Sequence, residues 1–167
     1  DDIRSLNYAE GAALPAYADE TTLAEIMRRF PYVFTPLAPG TGFYKPSLTA
    51  HAIAPPAPFE VCGVPVQPFL QQHGRVHSVG FRIGCMAYTP DVKDFPQSSR
   101  PFLGGLDWWI VDCVQEEPHP THAHLALSLE WIERHNPRQA FLTHLNHTMD
   151  YETLCGRLPD FIRPAYD

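Results

Sequence analysis

The sequence contains no apolar run approaching the roughly 20 residues that cross a bilayer. It is also poor in basic residues, with 12 Lys and Arg against 19 Asp and Glu, and its formal net charge is −7 at pH 7. An acidic chain repels polyanions, which excludes a protein that coats nucleic acid over its whole surface. Binding of nucleic acid through a local basic patch stays open. We therefore expect a soluble protein with no membrane partner, for which nucleic acid is not the expected ligand.

Paired cysteines are missing as well. The four cysteines, Cys62, Cys85, Cys113 and Cys155, are far apart and form no C-x-x-C motif. This spacing argues against a zinc ribbon and against a dense disulfide framework, so a reducing cytoplasm is the expected location. Their apolar neighbours predict buried, inert thiols without a catalytic role.

The composition is that of an ordinary folded domain. The chain has 167 residues, of which 44% are hydrophobic, enough to bury a core. Its 18 prolines are concentrated between Pro31 and Pro68, which predicts a loop-rich stretch inside one domain rather than a linker. We therefore expect a single domain over residues 1–167.

Strand and helix patterns alternate along the chain. Residues 14–18 form a predicted strand, and a helix follows the N-cap candidate Asp19. The run from Trp108 to Val114 is apolar almost throughout, as in a strand covered on both faces, and a helix is predicted from Leu125 to His135. This order predicts an α/β layered protein with its chemistry in loops after the carboxyl ends of strands.

Histidines are concentrated where such loops are expected. Six of the nine lie in one 29-residue window: His119, His122, His124, His135, His144 and His147. His144 ends the apolar run Leu142-Thr143-His144, and His73 precedes Gly74 at another strand end. Asp91 follows a third strand. Two imidazoles and one carboxylate are a donor set typical of Zn²⁺, Mn²⁺ or Fe²⁺ in hydrolytic sites.

Other interpretations of these residues stay open at this point. A single histidine at a strand end is commonly an ordinary hydrogen-bonded polar group. Asp94 and Asp112 are alternative carboxylates, and we prefer Asp91 because it follows a strand-end tyrosine in Tyr88-Thr89-Pro90-Asp91.

Four motifs occur in the order Asp1-Asp2-Ile3-Arg4, His73-Gly74, Tyr88-Thr89-Pro90-Asp91 and Leu142-Thr143-His144. In this order they resemble the metallo-β-lactamase superfamily, in particular the branch of phosphoribosyl 1,2-cyclic phosphate phosphodiesterase and, more distantly, tRNA 3′-end endonucleases. The resemblance implies an α/β fold of the αββα four-layer sandwich type, incomplete at the N-terminus.

The resemblance also implies a role for each motif. His73 would bind a first metal ion, Asp91 would bridge two ions and His144 would bind the second, so the cofactors would be two divalent ions, Zn or Mn. His122, in His119-Pro120-Thr121-His122, corresponds to a histidine near the leaving group and is the candidate general acid. His124 is the alternative for that role.

One part of the family pattern is absent from this sequence. The His-x-His-x-Asp-His motif, which supplies four of the usual ligands, does not occur, and the chain starts at the Asp-Asp-Ile-Arg run that usually follows it. We therefore expect an N-terminally truncated segment that lacks hydrolase activity on its own. Leading strands that are missing would leave an exposed sheet edge, which favours a homo-oligomer or another partner.

The function implied for the complete protein is a metal-dependent phosphodiesterase that attacks a small phosphodiester with a metal-activated water. Two alternatives remain. The same fold hosts hydrolases of other ester classes, and a non-catalytic metal-binding or interaction protein could keep the same strand-end residues.

Overall fold

The computed structural model describes residues 2–166, so that Asp1 of the Asp1–Arg4 motif lies outside the described residues. The chain divides into two compact units, residues 2–54 and residues 55–166. The boundary lies within the proline-rich stretch. A single domain over the whole chain stays a prediction, and we describe each unit by itself.

The first unit contains three helices and a small parallel sheet. The helices are α1 (Asp2–Glu10), α2 (Glu20–Arg29) and α3 (Pro31–Phe34), and the two paired strands are β1 (Leu14–Ala18) and β2 (Leu48–Ala52). The predicted cap is confirmed: the Asp19 side chain accepts a hydrogen bond from Thr22 N, which satisfies a free donor of the first turn. Buried Asn7 donates from Nδ2 to the carbonyls of Ala12 and Ser47.

The second unit is built on one seven-stranded sheet in the order β3-β4-β5-β6-β7-β8-β9. Its strands are β3 (Phe59–Val61), β4 (Val64–His73), β5 (Val76–Ile83), β6 (Met86–Thr89), β7 (Trp108–Asp112), β8 (Gln139–Thr143) and β9 (Ile162–Pro164). The pairs from β3 to β6 are antiparallel, and the pairs from β6 to β9 are parallel. A short 3₁₀ helix (Arg100–Leu103) and helices α4 (Leu125–His135) and α5 (Tyr151–Arg157) complete the unit.

The core of the second unit forms around β7. As predicted, β7 is central: parallel strands flank it on both sides, and Trp109 and Val111 are fully buried. Phe95 lies against the rings of both Trp109 and Trp131, which joins the sheet to α4. The mixed α/β class is therefore confirmed, as are the predicted strand over residues 14–18 and helix α4.

The proline-rich stretch is more regular than its composition predicts, since it contains α3, β2, β3 and the start of β4. Pro65 and Pro68 both lie inside β4. Residues 64–66 of this strand pair with β3, residues 67–73 pair with β5, and Gln72 also forms a bridge with Asp94. Pro65 and Pro68 are each paired with one neighbouring strand, so a missing N–H removes fewer ladder bonds there than it would in a doubly paired strand.

The prediction that all four thiols are buried was wrong for three of them. Cys62, Cys85 and Cys155 are exposed, and only Cys113 is buried. Burial raises the pKa of the Cys113 thiol to about 12. Within residues 2–166, no helix is both long and apolar enough to span a membrane.

Replacing Gly80 with alanine is expected to destabilise the protein by about 1–3 kcal/mol. The added Cβ would clash with Gln71 Oε1 and lie 2.7 Å from the Phe69 ring, and both side chains are fully buried. Gly156→Ala is the control, because Gly156 lies in α5 with open space at its Cβ position. Urea unfolding compares the variants, and equal free energies of unfolding would contradict the close packing at Gly80.

Candidate metal centre

Sheet topology brings the predicted site residues to one edge of the second unit. Parallel strands β6, β7 and β8 are adjacent, so their carboxyl ends meet at that edge. Asp91 follows β6 by two residues, Asp112 ends β7 and His144 directly follows β8. Strand β4 is antiparallel to β5, which is antiparallel to β6, so β4 runs parallel to β6 and brings its last residue, His73, to the same edge.

The four predicted side chains converge at this edge. His144 Nε2 is 3.7 Å from Asp91 Oδ1, and His122 Nδ1 is 3.9 Å from the same oxygen. The His122 ring stacks on the His144 ring at a centroid distance of 4.7 Å and meets the His73 ring edge-on at 4.5 Å. The sequence therefore identified residues that are far apart in the chain and close together in the fold.

The spacing of the donor atoms fits a bound cation. His73, Asp91 and His122 each offer one ligand atom, and these atoms all lie within 4.8 Å of one another. Two ligand atoms on a tetrahedral zinc ion, each about 2.1 Å from the metal, are about 3.4 Å apart. The 3.7 Å separation of His144 Nε2 and Asp91 Oδ1 is close to that value. A divalent ion could therefore be held with small side-chain adjustments.

Two of the candidate ligands have unusual backbone conformations. Asp91 has φ 51° and His144 has φ 64°, in the left-handed region that residues other than glycine rarely adopt. Such conformations persist only where the surrounding structure enforces them, and they are concentrated at functional sites. Neither the Tyr88–Asp91 motif nor the Leu142–His144 motif indicates this backbone conformation.

The His73 ring is oriented by a backbone carbonyl. His73 Nδ1 lies 2.9 Å from Thr121 O. A carbonyl oxygen only accepts, so Nδ1 carries the proton and Nε2 keeps the lone pair that can bind a cation. Hydrogen bonds of this type commonly orient histidine ligands in metal proteins.

Asp112 has a function that the sequence analysis missed. Its side chain is fully buried, and one oxygen, Oδ2, accepts hydrogen bonds of 2.9 Å from Val92 N and from His122 Nδ1. The carboxylate therefore fixes His122 as the tautomer with a proton on Nδ1 and leaves Nε2 for chemistry. Asp112 is therefore not an alternative to Asp91: Asp112 hydrogen-bonds the His122 ring, whereas Asp91 lies beside both His122 and His144.

The remaining histidines of the cluster differ in placement. His119 Nδ1 faces the backbone N–H groups of Thr121 and His122, and burial, followed by the charge of His122, lowers the pKa of His119. His124 is at the N-cap position of α4, and burial lowers its pKa too. Among the described residues, no hydrogen bond, ion pair or ring contact joins His124 to Asp91, His73 or His144. Of these two histidines, only His122 therefore lies against Asp91, His73 and His144 among the described residues.

The sequence profile of the β-lactamase superfamily domain matches residues 1–145. The chain therefore belongs to the β-lactamase superfamily, in which the metallo-β-lactamase fold supports hydrolases. This result confirms the family that the motifs had indicated.

Two solved structures are similar to this chain over nearly its whole length. A diphosphatase from the PhnP family is 29% identical to this chain with a TM-score of 0.86, and the match covers all of this chain and 62% of that structure. The metallo-β-lactamase fold protein YhfI from Bacillus subtilis is 18% identical with a TM-score of 0.71, over 98% of this chain and 68% of that structure. This second match supports the fold alone.

A curated relative is much longer than this chain. An octanoyltransferase from Porphyromonas gingivalis is 28% identical over 170 residues, which include all of this chain and 33% of that protein. The chain thus spans about one third of that relative and less than two thirds of the PhnP-family diphosphatase.

Replacing Gly74 with alanine is expected to damage both stability and metal binding. Gly74 has φ 63°, and an added Cβ would lie 2.5 Å from Thr121 Cγ2, on the residue whose carbonyl orients His73. The control is Gly84→Ala, which has a similar φ of 59° and open space around its Cβ position. Gly84→Ala should cost only the left-handed strain of about 1–2 kcal/mol.

Urea unfolding and zinc titration compare these two variants. Gly74→Ala should lose about 1–3 kcal/mol more than Gly84→Ala, because the Thr121 side chain must move to make room for the added Cβ. It should also bind zinc more weakly, whereas Gly84→Ala should bind zinc as the unaltered protein does. Equal losses in both measurements would contradict the role of the Gly74–Thr121 contact.

Proposed function

We propose that this chain forms part of a metal-dependent phosphodiesterase. The observation that carries the proposal is the convergence of His73, Asp91 and His144 with the Asp112–His122 pair at one sheet edge. Divalent ions, when bound, would lower the pKa of an attacking water and stabilise negative charge on the phosphoryl oxygens. The activity is proposed for the whole protein, since this chain spans only part of the length of the relatives it matches.

The proposed ligands follow from the donor atoms. His73 would bind one ion through Nε2, since its Nδ1 proton faces the Thr121 carbonyl. His144 would bind a second ion, and Asp91 would bridge the two because it offers a ligand atom within 4.8 Å of one on His73 and its Oδ1 lies 3.7 Å from His144 Nε2. Imidazole nitrogens together with a carboxylate suit zinc and manganese alike.

His122 is the proposed proton donor. Hydrolysis forms a bond from water oxygen to phosphorus and breaks the bond from phosphorus to the leaving oxygen, which then needs a proton. Asp112 Oδ2 accepts the Nδ1 proton over an Nδ1–Oδ2 distance of 2.9 Å, so a His122 ring protonated on both nitrogens would give its other proton from Nε2 and keep the one on Nδ1.

A nearby lysine supports an anionic substrate. Lys93 follows Asp91 by two residues and is half-buried. Its backbone N–H donates to Gln72 O at 2.7 Å, which fixes it beside the end of β4. Within residues 2–166, the Lys93 ammonium group has no ion pair with a carboxylate. An unpaired cation beside the site favours substrates that carry phosphate.

A second candidate function is the hydrolysis of a diphosphate, in which the leaving group is itself a phosphate. The 29% identity over the whole chain with a PhnP-family diphosphatase favours this reaction. The same residues would act on it, but a phosphate leaving group needs less help from a proton donor than an alkoxide does.

Replacement of His122 by alanine tests its role through the leaving group. In the full-length protein, His122→Ala should lower kcat for a phosphodiester with an alkoxide leaving group by about 10²–10⁴-fold. It should affect bis(p-nitrophenyl) phosphate far less, because p-nitrophenolate leaves without a proton. Steady-state assays with both substrates measure the difference.

Asp91→Ala is the matched comparison, since loss of a bridging ligand should abolish turnover of both substrates. If His122→Ala also reduced both substrates equally, His122 would be a metal ligand rather than the acid. Unchanged hydrolysis of both by Asp91→Ala would contradict the whole proposal.

A further inference from the structure

Two polar side chains of the sheet, one buried and one half-buried, hold the backbone around Asp91. Gln71 on β4 lies opposite Ser78 on β5 in the antiparallel register and is fully buried. Gln71 Nε2 donates to Ser78 Oγ at 3.1 Å and to Pro90 O at 2.8 Å. Ser78 Oγ in turn donates to Asp91 O at 2.7 Å. The pair therefore binds the carbonyls on both sides of the Asp91 Cα.

A third contact holds the same backbone from the other direction. Val92 N donates to Asp112 Oδ2 at 2.9 Å. The peptide group between Asp91 and Val92 is thus bound at its oxygen by Ser78 and at its N–H by Asp112. The preceding peptide group is bound at its oxygen by Gln71. Because φ and ψ of Asp91 are set by these two peptide planes, the contacts fix the direction in which its carboxylate leaves the backbone.

The fixed conformation is one that the loop would not keep on its own. Asp91 has φ 51°, and a free aspartate favours negative φ. Relaxation to negative φ would move the Asp91 carboxylate away from the His122 and His144 rings that it now faces. Hydrogen bonds made only in this conformation offset its strain.

We propose that Gln71 and Ser78 are positioning residues that hold Asp91 in its metal-binding conformation before any ion is bound. The inference rests on the proposed function, because it concerns the same carboxylate. Gln71 contributes its amide N–H donors, and its Oε1 is buried without a hydrogen-bond partner among the described residues. Gly80 makes this possible, since a side chain there would meet Gln71 Oε1.

Ser78→Ala in the full-length protein tests the inference, with Ser99→Ala as the matched control. Ser99 is a buried serine whose Oγ donates to Leu70 O at 2.6 Å, so its loss removes the same kind of bond without contacting Asp91. Ser78→Thr restores the hydroxyl. Gln71→Met removes the amide donors at similar length and provides a second variant should Ser78→Ala fail to fold.

Two measurements separate positioning from general stability. Hydrogen exchange of the Val92 amide in metal-free protein should accelerate in Ser78→Ala and Gln71→Met by about tenfold, the size expected for one lost hydrogen bond. Zinc affinity by calorimetry should fall by about 10–100-fold, as it does for other residues that orient metal ligands. Ser99→Ala should lower Tm to a similar degree and change neither quantity, and Ser78→Thr should behave as the unaltered protein.

The outcomes are distinct from those that test the phosphodiesterase. If Ser78→Ala and Ser99→Ala show equal exchange at Val92 and equal zinc affinity, Asp91 is not positioned by this pair, whatever the protein hydrolyses. If Ser78→Ala shows the predicted losses in a protein that cleaves no phosphate ester, the positioning stands and the proposed function fails.

Discussion

The buried carboxylate of Asp112 is the interaction on which the site depends most. One of its oxygens accepts hydrogen bonds both from Val92 N, next to Asp91, and from the His122 ring. Its other oxygen is buried without a partner among the described residues. Removing a carboxylate from water is costly unless good hydrogen bonds replace the lost hydration. Loss of either hydrogen bond to Asp112 would therefore be costly. Together the two bonds hold the loop at Asp91 and the His122 ring in fixed positions relative to each other.

The directions of the strands explain how this carboxylate can connect distant parts of the chain. Four strands, β4, β6, β7 and β8, end at one edge of the sheet, and each brings a polar residue there from a different part of the sequence. The apolar interior of β7 places Asp112 at the point where the buried strand ends. The rigid sheet therefore brings these polar residues close together, and the loops determine only the final positions of their side chains.

The sequence could predict the candidate ligands because each one follows a recognisable strand and lies in a motif of the superfamily. His73, Asp91 and His144 were found in this way, and so was the preference for His122. The positioning residues could not be found by the same reasoning. Gln71 and Ser78 lie within strands next to other polar residues and in no motif of the superfamily. Their role depends on the pairing register between β4 and β5, which the sequence does not display.

Other parts of the fold were missed for physical reasons of the same kind. Helix α1 and the short strands β2, β3 and β9 have weak hydrophobic periodicity, so pattern gave no signal for them. Apolar neighbours wrongly predicted burial of Cys62, Cys85 and Cys155, because local composition does not report which side of an element faces the core. Buried Cys113, on the other hand, directly follows the central strand, where burial is expected from position.

The most direct test of the account is the metal content of the purified full-length protein, measured by mass spectrometry of the elements. The account predicts about two divalent ions in each chain, as in other two-metal hydrolases, and their loss when Asp91 is replaced by alanine. A folded protein that takes up no zinc or manganese would contradict it, since the strand-end imidazoles and carboxylate would then have converged for another purpose.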